Sequence, residues 1–213
     1  MARLRRFWVI QLLFILFLGV FLFTSAQAEI IVDTGTLKAS ECSRLYENQW
    51  IAGQFNISES YNITDIYGWI DPYNSTGTMT IALYGDSGDP STDWPDTTNE
   101  YLAQQFIPSS DGADWYGLTG LNTLLVAGTY WVSFEVRSDD TNYGSMPKEF
   151  SNPLPVMAYY NGSKWIGYDD IPVGIRIYGD TQAASVPEPA SMFLLGSALL
   201  GLVGLGKRKL RKH

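Results

Sequence analysis

The carboxylates between positions 86 and 100 are the residues that most clearly could do chemistry. This segment contains five acidic side chains and no basic one: Asp86, Asp89, Asp93, Asp96 and Glu100. Hard cations such as calcium take several oxygen ligands, which clustered carboxylates supply. The spacing is not that of an EF-hand, and Pro90 and Pro95 restrict the path of the chain. The segment therefore predicts either a calcium-binding loop or a solvated, turn-rich hairpin loop.

Histidine chemistry is confined to one position at the end of the chain. The single histidine is His213, so the rest of the chain offers no Ser-His-Asp or Cys-His arrangement and no His-ligated zinc site. Carboxylate pairs that hydrolyse glycosides need no histidine, but no motif here singles out such a pair. We therefore expect a protein that is not an enzyme and holds no cofactor, with a secreted glycoside hydrolase as the enzymatic alternative.

Aromatic residues form a second group with potential for ligand binding, because aromatic rings stack on sugars. The candidates in or near predicted loops are Trp94, Trp115, Tyr116, Tyr159, Tyr160 and Trp165. Trp69 and Trp131 fall in predicted strands and are assigned to packing. A carbohydrate-binding module is therefore an alternative function for the central part of the chain.

The last segment, residues 186–213, has the pattern of an address tag with three physically different parts. It begins with the box Pro187, Glu188 and Pro189, where the prolines impose an extended backbone. An uncharged apolar span, residues 192–206, follows, and its fifteen residues cover roughly 22 Å as a helix. The basic tail 207–213 then supplies Lys207, Arg208, Lys209, Arg211 and Lys212. We predict a short transmembrane helix with its basic end in the cytoplasm.

This tripartite segment resembles the PEP-CTERM sorting signal of Gram-negative bacteria. The resemblance implies that an exosortase recognises the box 187–189, removes the tail and passes the remaining protein to the cell surface or the extracellular matrix. It also implies a link to exopolysaccharide and biofilm. The alternative is a permanent single-pass anchor that is never processed.

The N-terminal segment predicts export across the inner membrane. Arg3, Arg5 and Arg6 precede an apolar run over residues 7–23, and Ala26 and Ala28 form a small-x-small cleavage site. Residues 1–28 are therefore predicted to be a signal peptide that signal peptidase removes after Ala28. An uncleaved signal anchor is the alternative. The exported precursor would face the periplasm while its C-terminal helix holds it in the membrane.

The charge of the remaining chain excludes nucleic acid as a partner. Residues 29–185 contain six basic and twenty-one acidic side chains, which leaves a net charge of −15 for this body. Nucleic-acid binding needs a positive surface. Cys42 is the only cysteine, so no internal disulfide can form and the hydrophobic core must supply the stability.

The body shows the alternation of a β-rich domain. In residues 128–136, Tyr130, Val132 and Phe134 share one face while polar side chains occupy most of the other, which predicts a half-buried strand. Similar patterns occur at residues 30–32, 51–57, 78–83, 101–107, 156–160 and 173–178, and residues 61–70 predict a central strand. We expect an antiparallel β-sandwich ectodomain over residues 29–180 and a short linker over 181–185.

The order of the strand segments also looks similar to a β-sandwich type common in PEP-CTERM ectodomains. The segments that carry this looser resemblance include residues 52–55, 66–69, 81–86, 127–131 and 174–179. It implies a jelly-roll-like fold and says little about a ligand.

Overall fold

The computed structural model describes residues 28–38, 41–88, 94–108, 112–167 and 173–181, all within one compact unit, Met1–Thr181. The second unit, Gln182–His213, lies outside the described residues, and with it the predicted sorting box, transmembrane helix and basic tail. The predicted signal peptide also lies outside them up to position 27. Ala28 is exposed one residue before the first strand, and its role in cleavage stays a prediction. None of the described residues belongs to a helix that could cross a membrane.

The described residues form thirteen β-strands and no helix. The strands are β1 Glu29–Asp33, β2 Cys42–Leu45, β3 Trp50–Ile57, β4 Tyr61–Pro72, β5 Met79–Asp86, β6 Pro95–Phe106, β7 Asp114–Leu118, β8 Thr123–Leu125, β9 Gly128–Glu135, β10 Gly144–Pro147, β11 Met157–Tyr160, β12 Trp165–Gly167 and β13 Ile175–Thr181. Every predicted strand has a counterpart. The sequence patterns missed the short strands β2, β7, β8, β10 and β12, because three to five residues give too little alternation to detect.

Two antiparallel sheets make up the fold. One has the order β1-β13-β4-β10-β2, with β7 and β8 also paired to β4, and the other has the order β12-β11-β3-β9-β5-β6. All of the pairings are antiparallel. The twelve-residue β4 is the centre of the first sheet, which confirms the predicted central strand. The prediction of an antiparallel β-sandwich is confirmed.

The hydrophobic core lies between the two sheets and is built from alternate residues of each strand. From the seven-stranded sheet it takes Ile63, Ile66, Ile70, Ile175 and Ile177, and from the six-stranded sheet Ile51, Phe55, Ile81, Leu83, Val132 and Phe134. Each fully buried side chain of this size contributes about 1.5–3 kcal/mol. The core therefore replaces the disulfides that many exported domains use, and Cys42 itself is exposed on β2.

Strand β9 differs from its prediction because both of its faces are buried. Trp131, Ser133 and Glu135 point away from the core, yet each has a relative exposure of 0%. A second hydrophobic cluster that includes Trp131, Tyr84 and Trp165 covers this outer face. The polar residues that suggested a solvent-facing side are therefore enclosed by aromatic side chains.

Strand β6 lies at the end of the six-stranded sheet, and its pairing with β5 is irregular. The register shifts on both sides of Tyr84, between Leu83 and Tyr84 and between Tyr84 and Gly85. Most side chains of β6 between its two buried ends are exposed. The irregular register twists the outer strand relative to its neighbour.

The two sheets approach each other closely where Phe134 of β9 meets Gly68 of β4. A Cβ atom at Gly68 would lie only 2.8 Å from Cζ of Phe134, and Phe134 is fully buried. Glycine at this position therefore makes room for the aromatic ring between the central strands of the two sheets.

We expect Gly68→Ala to destabilise the protein by about 1–3 kcal/mol, because the added methyl group would displace the Phe134 ring from a packed core. Urea unfolding of the purified protein measures the loss. Gly128→Ala is the matched control, because its Cβ would meet no atom closer than 3.5 Å. Equal stability for the two variants would show that the sheets do not pack tightly at Gly68.

Candidate functional site

The outer face of the six-stranded sheet carries a row of small residues in register across all six strands. Cross-strand pairing aligns Gly167, Ala158, Ala52, Ser133, Ala82 and Ala103, in the order β12, β11, β3, β9, β5 and β6. Residues in one cross-strand row project from the same face of a sheet. Small side chains along a whole row therefore leave room above the sheet for large rings from the flanking rows.

Aromatic side chains occupy this room. Trp165, Tyr160 and Trp50 are consecutive cross-strand neighbours on β12, β11 and β3. The rings of Trp50 and Tyr160 stack with centroids 4.4 Å apart and an interplanar angle of 21°. From the other side, Trp94 lies over Gly167, where a Cβ atom would overlap its ring. The row of small residues thus determines where the aromatic rings can lie.

These four aromatic residues line an open cavity of about 910 Å³, which we term the aromatic groove. Its polar lining includes Tyr84, Asp96, Glu100, Arg137 and Lys164. A concave surface with large rings and a few polar groups is typical of small-molecule and carbohydrate sites, and the volume falls in their usual range of about 300–1,000 Å³.

A polar network lies beside the aromatic rings and consists of Tyr84, Glu100, Glu135 and Arg137. The Arg137 guanidinium donates through Nε to Glu135 Oε2 at 2.6 Å and through Nη2 to Glu100 Oε2 at 2.6 Å. Nη2 also donates to the Tyr84 hydroxyl at 2.8 Å, and that hydroxyl donates to Glu135 Oε1 at 2.8 Å. One guanidinium is therefore held by two carboxylates and a phenol.

Burial changes the proton affinity of this network. It raises the pKa of Glu135 above its ordinary value, and the opposing effect of the Arg137 charge is smaller. Burial also raises the pKa of Tyr84, as does the neighbouring Glu135 carboxylate, so the phenol stays protonated and can donate. Burial disfavours the charge on Arg137, but Glu135 and Glu100 outweigh that effect and raise its pKa.

The two carboxylates of the network differ in their exposure to the groove. The Glu135 side chain is fully enclosed, whereas Glu100 keeps 37% of its side-chain surface exposed. Both carboxylates bind the same guanidinium. The arrangement suits a rigid polar edge that can exchange hydrogen bonds with a ligand.

The predicted loop over residues 86–100 is wrong in its second half, because residues 95–100 belong to β6. Exposed acidic and β-branched side chains are tolerated on an edge strand. Asp86 accepts a hydrogen bond from Trp131 Nε1 at 3.1 Å, Asp96 accepts from the Thr98 amide at 3.0 Å, and Glu100 binds Arg137. Asp89 and Asp93 lie outside the described residues. No group of three or more His, Cys, Asp or Glu residues that could hold a metal ion occurs at the described positions.

Of the aromatic residues predicted to lie in or near loops, Tyr159 and Tyr160 belong to the strand predicted at 156–160, and Trp115, Tyr116 and Trp165 belong to strands that were not predicted. Trp94, Tyr160 and Trp165 come together in the aromatic groove, and Trp165 is buried there. The remaining three do not join them: Trp115 and Tyr116 lie on β7 and Tyr159 packs against the core. Short strands of aromatic residues have no clear alternation, so they resemble loops in the sequence.

The packing roles predicted for Trp131 and Trp69 agree with the structure. Trp131 is fully buried beneath the groove. Trp69 packs edge-on against Trp115, with ring centroids 5.4 Å apart. The guanidinium carbon Cζ of Arg176 lies 4.1 Å from the centroid of the Trp115 ring. Nε of Arg176 also pairs with Oδ1 of Asp33 at 3.1 Å. Trp115 is therefore part of a separate cluster on the seven-stranded sheet.

Sequence reasoning missed Trp50, Tyr84, Glu135 and Arg137. Both Glu135 and Arg137 fall on the polar face of the half-buried strand that the sequence predicts. The sequence carries only a weak signal, a small residue within each of six strands, because the cross-strand register is needed to bring these residues into one row.

We expect the stability of Glu135→Gln relative to the natural protein to increase as the pH rises above 4.5, the ordinary pKa of glutamate. A carboxyl whose pKa is raised by folding keeps its proton longer in the folded state. Its stabilising contribution is therefore complete below the unfolded pKa and is lost as the pH approaches the folded pKa. Glutamine does not titrate, so it avoids this loss.

The expected gain is about 1.4 kcal/mol for each pH unit between the two pKa values. Urea unfolding of both proteins at pH 4, 5, 6 and 7 measures the difference. If glutamine instead becomes less favourable with rising pH, pairing with Arg137 outweighs the effect of burial on Glu135.

Arg137→Ala is expected to destabilise the protein by about 3 kcal/mol, because it leaves the enclosed Glu135 carboxyl without its charged partner. Arg176→Ala is the matched control, since its pair with Asp33 is partly exposed on both sides and should contribute about 1 kcal/mol or less. Its contact with the Trp115 ring should add about 0.5–1 kcal/mol. Thermal and urea unfolding of both variants would reveal the difference. Equal losses would mean that the groove network contributes no more than a surface ion pair.

Comparison with known families identifies the C-terminal segment. The family model of the PEP-CTERM protein-sorting motif matches residues 185–209, a range that contains Pro187, Glu188 and Pro189. No curated protein matches the chain. The motif marks an exported precursor that exosortase sorts to the cell surface, as the sequence resemblance predicted. The chain is thus a PEP-CTERM motif-containing protein, with a β-sandwich ahead of the motif.

Proposed function

We propose that this protein is a structural or adhesive component of the cell surface or extracellular matrix and that its β-sandwich associates with exopolysaccharide. Signal peptidase removes residues 1–28, and the helix over 192–206 then holds the precursor in the inner membrane, facing the periplasm. Exosortase recognises Pro187, Glu188 and Pro189 and releases the body from the tail. The sorting motif supports the first part of this proposal.

The aromatic groove is the observation that carries the association with exopolysaccharide. The apolar faces of sugar rings pack on aromatic side chains, and their hydroxyl groups need hydrogen-bond partners. Trp50, Trp94 and Tyr160 supply partly exposed rings. Asp96 and Glu100 supply acceptors at the edge of the same cavity. Rings and acceptors lie together on the outer face of one sheet, where a long polymer has access.

The proposed role is binding without catalysis. Glycosidases place two carboxyl groups on opposite sides of the scissile bond. In the groove, Glu135 is enclosed and Glu100 binds the same guanidinium as Glu135. This geometry favours a binding surface over the glycoside hydrolase alternative.

A membrane-anchored carbohydrate-binding module is the second candidate, and the groove supports it equally well. The two candidates differ only in whether the tail is removed. In the first, the body leaves the inner membrane, and in the second it stays attached through residues 192–206.

We predict that the protein recovered from its own host begins at Glu29 and ends within residues 187–189, as measured by intact mass. Replacing Pro187, Glu188 and Pro189 together by alanine should leave the tail in place through His213 and keep the protein in the inner-membrane fraction. Gln182→Ala, outside the box, is the control and should be processed normally. A natural protein that retains its tail would show a permanent anchor and rule out processing.

The same host fractions test the association with exopolysaccharide. The processed protein should co-purify with the polysaccharide of the matrix and appear free in the medium of a host strain that makes none. Identical fractionation in both strains would contradict the association and leave the sorting route unaffected.

A further inference from the structure

We propose that the aromatic groove binds an uncharged pyranose segment of a polysaccharide and that Trp94 is the ring on which a sugar stacks. This inference rests on the proposed association with exopolysaccharide and specifies the class of sugar that the groove accepts. It depends on two observations, the position of Trp94 and the distribution of charge around the groove.

Trp94 is the groove ring most suited to contact a ligand. Trp50 stacks on Tyr160 and donates through Nε1 to the Val136 carbonyl at 2.9 Å, so one of its faces and its polar edge are already occupied. Trp165 is 7% exposed. Trp94 is half-buried and lies immediately before β6. Because residue 167 is glycine, the Trp94 ring can lie directly against strand β12. A rigidly supported, partly exposed indole provides a stacking surface.

The charges around the groove disfavour an acidic sugar. Both Nε and Nη2 of Arg137 are bound to carboxylates, with Tyr84 as a further acceptor. Two carboxylates thus offset the single guanidinium, and Asp96 adds negative charge against the exposed Lys164. The body as a whole carries −15. The net negative charge would repel a uronate or sulfated polymer over long range.

The experiment uses affinity electrophoresis and isothermal titration with the full chain in detergent micelles. The uncharged probes are cellohexaose, dextran, laminarin and yeast mannan, and the acidic probes are polygalacturonate and alginate. The variants are Trp94→Ala, Gly167→Ala and Trp115→Ala. The methyl group of Gly167→Ala would displace the Trp94 ring from β12, and Trp115→Ala is the control on the other sheet. Circular dichroism confirms that each variant is folded.

We expect at least one uncharged probe to bind and neither acidic probe to bind at physiological salt. Trp94→Ala should weaken binding about tenfold, the effect of losing one aromatic contact. Gly167→Ala should weaken it as well, and Trp115→Ala should leave it unchanged.

Three results would overturn the inference. These are no binding to any uncharged probe, binding that does not depend on Trp94, and Trp94-dependent binding to an acidic probe. The last result would leave the wider proposal intact, because the protein would still bind polysaccharide. A separate result would contradict the wider proposal, namely identical fractionation of the protein in host strains with and without exopolysaccharide.

Discussion

Burial of β9 on both faces is the constraint on which the rest of the structure depends. Its inward-facing Phe134 fills the space above Gly68 and holds the two sheets together. Its outward-facing Ser133 and Glu135 belong to the cross-strand row of small residues and to the polar network, respectively. A shift of this strand by one residue would exchange the two sets and place a carboxylate in the core. The core and the candidate site therefore require the same register.

The enclosed carboxylate makes that register specific as well as stable. Glu135 can be buried because Arg137 and Tyr84 satisfy both of its oxygens. Glu100 connects the same guanidinium to the edge strand, so the network links β5, β6, β9 and the residues that follow β9. A ligand in the groove would meet side chains whose orientation is already fixed, which reduces the entropy lost on binding.

The sequence predicted the sandwich and its inner faces because those strands alternate between apolar and polar residues. It predicted the sorting box because proline, an uncharged span and a basic cluster are readable without a fold. It could not predict the groove, because Trp50 and Glu100 are brought together by pairings between distant strands. The six small residues that form the row across the outer face come from six separate strands, and only the cross-strand register aligns them. Alternation places Glu135 on the polar face of β9, but it shows only which residues share a face and not what covers that face.

The edge strand β6 also has a consequence for a protein that would accumulate at high local density. An open strand edge invites pairing with the same edge of another copy, which is a route to aggregation. Here the edge begins with Pro95, carries Asp96 and Glu100, and is twisted by its irregular pairing with β5. These features oppose edge-to-edge pairing between neighbouring copies.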